Sequence, residues 1–226
     1  YRVTVEGTAR NVEGEPLETP AQFTLKAAGH LAVSQVVPAP DTEEVDPSTA
    51  VTVAFSRPVV PLTSIGQQGE LPSPLTFVPP LRGEGEWLNT SIYVFTPDEP
   101  LAGGTTYEAS VVAGLEDTTG GVLGEDYEWK FSTQPPQVVW VSPFEDEELI
   151  GVDTAVRVTF NQAIDPASAE AAFHLTAGGA DVPGTLEVDG TTLTFKPDDW
   201  LSFDTTYTAR MDAGVKSAGG GAGMRA

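Results

Sequence analysis

The side chains able to do chemistry are mostly carboxylates, and they come in runs: Glu43-Glu44 with Asp46, Glu145-Asp146-Glu147-Glu148, and Asp198-Asp199. Glycoside hydrolysis needs two carboxyl groups facing each other across a cleft. A calcium site needs about six to eight oxygens converging on one point. The runs at 41–46 and 145–148 recur at equivalent places in a repeat, near module ends, where calcium would stiffen an array. They lack the spacing of a calcium loop, however, and read as solvated turns. His30 and His174 are the only histidines and lie far apart. Nothing converges on either as a Ser–His–Asp set would, and two histidines without a spaced motif make a poor zinc site. His30 is expected to face solvent beside a linker, and His174 to sit on a strand surface. Gly83, Gly85, Gly103, Gly104, Gly120 and Gly121 match no phosphate-loop template. Asn89-Thr90-Ser91 has the form of a glycosylation acceptor, a triplet that chance often supplies. Exposed tryptophans stack sugars, but alternation turns Trp129 inward, Trp200 is expected to pack a sandwich end, and Trp87 is expected in core or rim packing. The sequence therefore assigns no catalytic residue, no metal ligand and no cofactor, and the chain is expected not to be an enzyme.

The elements that hold these residues follow from composition and pattern. Acidic residues number 33 against 11 basic ones, a formal net charge of −22. Phosphate recognition needs clustered Lys and Arg, so nucleic-acid binding is excluded, as is an anionic membrane surface. The charge reads as a soluble, non-associating surface. Hydrophobic residues make up 40%, enough for packed cores. The chain has no cysteine, which excludes disulfides, thiolate metal sites and Cys nucleophiles within it. No run approaches the roughly 20 apolar residues of a spanning helix, so no membrane insertion is expected here. The first residue is Tyr1, and the chain reads as part of a longer protein.

Internal repeats set the organisation. Val51-Thr52-Val53-Ala54-Phe55-Ser56 returns as Val156-Arg157-Val158-Thr159-Phe160-Asn161, an offset of 105. Tyr93 to Leu101, containing Phe95-Thr96-Pro97-Asp98, returns at 193–201 as Phe195-Lys196-Pro197-Asp198, and Thr105-Thr106-Tyr107 returns as Thr205-Thr206-Tyr207, an offset of 100. An insertion in the middle loop of the first copy accounts for the difference. Tyr1 to Val5 resembles the strand beginning at Tyr107. Gly14, Pro16 and Leu17 match Gly121-Val122-Leu123, and Phe23 is matched with Phe131. Residues 1–30 are thus expected to be the C-terminal strands of a preceding module and 31–134 a whole module. Residues 135–226 are expected to be a second module, final strand missing, reached through the stiff linker Gln134-Pro135-Pro136. The tail Gly219-Gly220-Gly221-Ala222-Gly223 is expected to be flexible.

Each module shows about seven short strands, in the first near 33–37, 51–55, 74–78, 92–96, 106–112 and 127–132 with one less distinct. Alternation at Tyr127-Glu128-Trp129-Lys130-Phe131 sends aromatics inward and charges outward. The fold class is all-β: tandem immunoglobulin-like antiparallel β-sandwiches, with a barrel as the other closed solution. One or two helical turns are expected over Pro166–Phe173, with Pro at the first position. An isolated hairpin is marginal in water, and a sandwich lacking a strand has an unpaired edge. The N-terminal hairpin is expected to pair with a neighbouring sheet, in its own chain or by strand exchange with another molecule.

Pro40 to Val45, Val51 to Phe55, Phe95 to Pro97 and Thr105 to Tyr107, with their copies in the last module, resemble the bacterial Ig-like domain. That resemblance spans nearly the whole chain and implies little about function. Phe55 to Leu62, Leu71 to Leu75, Gly85 to Phe95 and Phe160 to Ile164 resemble the N-terminal region of bacterial alpha-2-macroglobulins. Those are envelope-associated protease traps in which a bait region is cleaved and a Cys–Gln thioester captures the protease. With no cysteine, this chain holds no thioester. The resemblance implies structural spacer modules of such an inhibitor, at the cell surface or secreted, whose partners are neighbouring modules and, through the parent protein, proteases. The alternatives are a spacer array in an adhesin, S-layer or other surface protein, and an accessory module of a secreted polysaccharide-degrading enzyme.

Overall fold

The structure is a computed structural model, and it describes residues 1–17, 19–24, 29–62, 69 and 71–225. Strands β1 (Arg2–Val5) and β2 (Ala21–Thr24) form an antiparallel hairpin. The part of the 1–30 segment at 18 and 25–28 lies outside the described residues.

The next region holds β3 (Val33–Val37), β4 (Thr42–Val45), β5 (Val51–Phe55), β6 (Leu75–Val78), β7 (Gly83–Trp87), β8 (Ile92–Pro97), β9 (Thr106–Val111) and β10 (Tyr127–Thr133). They make two four-stranded sheets, ordered β3-β5-β8-β7 and β4-β10-β9-β6. Neighbours are antiparallel except β4, which runs parallel to β10. The period-2 pattern of β5 buries Val51, Val53 and Phe55. Trp129 and Phe131 enter the same core from β10. Trp87 is buried too: its indole packs on Phe55 and Tyr93, and Nε1 donates to the Pro72 carbonyl at 2.9 Å.

The last region repeats this plan with β11 (Val138–Ser142), β12 (Val156–Phe160), α1 (Pro166–Ala172), β13 (Phe173–Ala177), β14 (Ala180–Asp181), β15 (Gly184–Asp189), β16 (Thr192–Pro197) and β17 (Tyr207–Met211). Its sheets are β11-β12-β16-β15 and β14-β13-β17. The short helix starts where expected. The Asp165 carboxylate accepts from Ser168 N at 2.8 Å and Pro166 opens the first turn, where its missing N–H costs nothing. Among the described residues no strand covers the free edge of β17.

Several expectations are corrected. The first sandwich has eight strands rather than about seven. The acidic stretch at 42–45 is not a loop: it exposes Glu43 and Glu44, buries Val45 and forms β4, because β10 offers it a parallel partner. Phe23 stands in the place of Trp129, not Phe131, since Val3 pairs with Phe23 as Ala109 pairs with Trp129. Gly14 accordingly matches Gly120: each amide donates to the carbonyl three residues back, Asn11 or Asp117. Trp200 does not pack the sandwich end but is 78% exposed. The glycine tail is not free chain, as its contacts below make plain.

Candidate functional site at the joint between the sandwiches

The repeated Thr-Thr-Tyr motif builds a rigid corner in each sandwich. Tyr107 lies buried on β9, and its hydroxyl accepts from Ala102 N at 2.9 Å. Burial pushes the phenol pKa up, while that donated N–H pulls the other way. Leu101 N donates to the Pro47 carbonyl, and the Thr133 hydroxyl donates to Ala102 O at 2.5 Å. The loop 101–105 is thereby held at the end of the first sandwich. Tyr207 repeats the corner, accepting from Ser202 N at 2.8 Å.

That first loop meets the second sandwich through backbone. Gly103 N donates to Ser217 Oγ at 2.8 Å and to the Gly220 carbonyl at 3.1 Å, across 114 residues in the first case. Gly104 N donates to the Gln134 carbonyl at 3.1 Å, and Gln162 Nε2 donates to the same oxygen at 3.0 Å. Asn161 completes the seat by exchanging bonds with Gln137: Gln137 N donates to Asn161 Oδ1 at 2.9 Å and Asn161 N to the Gln137 carbonyl at 3.0 Å. Pro136 is fully buried. Close approach is the reason for glycine at two places. A β-carbon at 103 would lie 2.9 Å from Gln162 Oε1 and 3.2 Å from the Gln134 carbonyl, and one at 219 would run into the Pro100 carbonyl. Gln162 and Ser217 are buried polar residues held by these bonds.

The other end of the first sandwich reuses half of this design. Ser56 and Arg57 stand where Asn161 and Gln162 stand, 105 residues on. Ala32 N donates to Ser56 Oγ at 3.1 Å, and Arg57 Nη1 donates to the Gly29 carbonyl at 2.6 Å, the counterpart of Gln162 on Gln134. Asp117 replaces Ser217 and is turned toward its own loop. One carboxylate oxygen accepts from Thr119 N, Thr119 Oγ1 and Gly121 N, and the other lies 3.0 Å from Arg57 Nε. The Thr119 hydroxyl above all, with the Gly121 and Thr119 amides and the Arg57 charge, holds this carboxyl below its ordinary value against the opposing cost of burial.

The residues weighed for chemistry are dispersed. His30 is exposed at the linker. His174 is half-buried on β13, with Nε2 3.4 Å from Asp212 Oδ2. Asn89 uses its side-chain oxygen in a turn, accepting from Ser91 N and Ile92 N. Among the described residues no group of three or more His, Asp or Glu is arranged to hold a metal ion. No helix among them is long and apolar enough to cross a membrane. Clefts of about 270 and 140 Å³ flank the joint, the smaller between Asp46, Pro100, Gln162 and Gly219. Both are below the roughly 300–1,000 Å³ of small-molecule pockets. The sequence located the joint at the stiff linker Gln134-Pro135-Pro136 but not the contacts across it. The signal for those contacts was glycine recurring at 103–104 and 219–221, in two stretches that alternation does not link.

Comparison with known proteins follows the same division. The sequence model of the bacterial Ig-like domain matches residues 28–133 and again 132–226. An alpha-2-macroglobulin homolog from Nostoc sp. is 27% identical over 143 residues, covering 60% of this chain. The chain spans 8% of that relative's length. Among solved structures, L,D-transpeptidase 3 from Mycobacterium tuberculosis aligns with a TM-score of 0.34 at 17% identity, over 69% of this chain and 62% of that one. The N-terminal part of the bacterial S-layer protein SbsC aligns with a TM-score of 0.33 at 16% identity, over 81% of this chain and 44% of that one. Scores at that level carry no functional argument.

Proposed function

The chain belongs to the bacterial Ig-like domain family, matched twice in tandem, and on that premise we propose that it is a non-catalytic spacer within a large alpha-2-macroglobulin-like protease inhibitor of the bacterial envelope or its exterior. In this reading residues 1–30 end a preceding module, 31–134 form one whole module, and 135–226 form the next. The observation that carries it is the joint. Gly104 and Gln162 both donate to the Gln134 carbonyl, so the linker is clamped from both sides and the modules hold a fixed attitude. A spacer needs this, because stacked modules touch mainly their neighbours and each joint sets the direction of the next. Resemblance over 60% of the chain to an alpha-2-macroglobulin homolog supports the choice of parent.

Reading the parent chain past Ala226 and assaying the whole protein for protease capture tests the proposal. A Cys-x-Glu-Gln motif downstream, with capture abolished by Cys→Ala, is the expected result. A run of further Ig-like repeats ending in a wall anchor, with no capture, makes the chain a stalk and overturns it. The β1–β2 hairpin and the free edge of β17 are the places for strand exchange between molecules. Light scattering on this chain is expected to show concentration-dependent association, and a strict monomer with a protease-labile N-terminus removes the intermolecular form.

A further inference from the structure

Phe203 occupies the place of Gly103. Both follow a leucine whose amide donates to a neighbouring loop, Leu101 to Pro47 and Leu201 to Val152. Both lie in a loop pinned by a tyrosine hydroxyl, and both precede a residue at positive φ, Gly104 at 61° and Asp204 at 50°. The surroundings differ. Gly103 is buried because the next module sits on it, whereas Phe203 is 84% exposed and Trp200, three residues back, is 78% exposed. A pinned loop presenting two large rings to water is an unspent apolar contact, since a buried aromatic removes about 150–250 Å² from water. The Gly103 seat cannot receive a ring, because Gln162, Ser217 and the Gln134 carbonyl already crowd a single β-carbon there.

From this geometry we infer that the Trp200–Phe203 loop is the docking face for the next module of the parent chain, and that this neighbour offers an apolar socket instead of a hydrogen-bonded glycine seat. The connectivity of the first module argues for that occupant. There the last strand, β10, runs back beside the 101–105 loop: Thr133 N donates to the Thr105 carbonyl, and Thr133 Oγ1 bonds Ala102 O. The chain is delivered to the loop that docks the following module. A last strand built in the same place on β17 delivers the downstream chain beside Phe203. The inference rests on reading this chain as part of a longer array, and not on the kind of parent.

Trp200 is the reporter. Its quenching by acrylamide, taken as the difference between each chain and its Trp200→Phe variant, is measured in three lengths of the natural polypeptide: to Ala226, through the completing strand, and through the next module. Free quenching is expected in the first two. In the third, accessibility is expected to fall at least about fivefold, and Phe203→Ser in that chain to restore it with circular dichroism unchanged. Three results overturn the inference: Trp200 stays accessible in the longest chain, the completing strand alone protects it, or Phe203→Ser leaves protection intact. Protection of the 226-residue chain by added soluble oligosaccharide, or in proportion to its own concentration, assigns the rings to a sugar or a second copy and also overturns it. A downstream module without any macroglobulin-like region leaves this inference standing while the proposed parent falls, so the two fail separately.

Discussion

The two modules share a plan, and within the described residues they fill it to different extents. In the first, β4 and β10 complete the second sheet, and 19 buried hydrophobic side chains form one core from Leu31 to Phe131. Among the described residues of the second, the matching sheet ends at β17 and 11 hydrophobic side chains are buried, and Ala209 is exposed where Ala109 is sealed. The joint between them shows the complementary lesson. Positions 57 and 162 both donate to a linker carbonyl, Gly29 or Gln134, but Arg57 is also paired with the Asp117 carboxylate. Position 119 is threonine where 219 is glycine, and 203 is phenylalanine where 103 is glycine. The sandwich is repeated, whereas the seat for a neighbour is individual, because a fold tolerates many side chains at its poles and a close backbone contact tolerates almost none.

The largest expected effect breaks the completed core. Phe131 is 1% exposed and stacked on Tyr107 at the centre of the first core. Phe131→Ala is expected to cost about 3–5 kcal/mol, read by calorimetry as a lowered unfolding transition. Gly103→Phe makes the first module's loop resemble that of the second. The backbone N–H remains, but the ring collides with Gln162, Ser217 and the Gln134 carbonyl and pushes that N–H away from Ser217 and Gly220; the modules are expected to uncouple by about 1–3 kcal/mol, seen as independent transitions and a broadened scattering profile. Gly219→Thr, which copies position 119, is expected to do the same, while Thr119→Gly leaves the joint intact. Tyr107→Phe strands the Ala102 amide and is expected to cost about 1–2 kcal/mol by denaturant titration. Tyr207→Phe is expected to cost less, since Tyr207 is only half-buried and water reaches its surroundings.

The smallest effect is in pH. The folded Asp117 carboxyl titrates below its ordinary 3.8, so the folded state holds it ionised more readily than the unfolded state does. Its contribution is fully present above the ordinary value and is lost as pH falls through the lowered one. Asp117→Asn is expected to flatten the acid limb of the first module's stability and leave the second, with Ser217, unchanged. An unchanged acid limb would sink the assignment of Asp117 as the titrating group.

Alternation was enough to place β5, β8, β9 and β10, since a period of two with β-branched and aromatic residues encodes a half-buried strand locally. The helix at Pro166 was equally legible, from the proline at its first position, and the structure adds Asp165 as its cap. β4 was not, because Thr42–Val45 is acidic and becomes a strand only through a parallel partner some 90 residues away. Trp200 was misread for a related reason: its loop has the sequence of a packed sandwich end, and exposure depends on which neighbour covers that pole. The repeat likewise announced two modules and the prolines a stiff linker, but neither recorded the contacts that clamp it.

Sequence by itself determined the all-β class, the doubling of the module and the corner tyrosines, because these rest on contacts within a few residues or on patterns repeated along the strand. Tertiary structure alone decided that Gly103 meets Ser217, that Gln134 accepts from both sides, and that Phe203 is left in water. Those outcomes depend on how close two backbones come across more than a hundred residues of chain, and no local pattern records that distance.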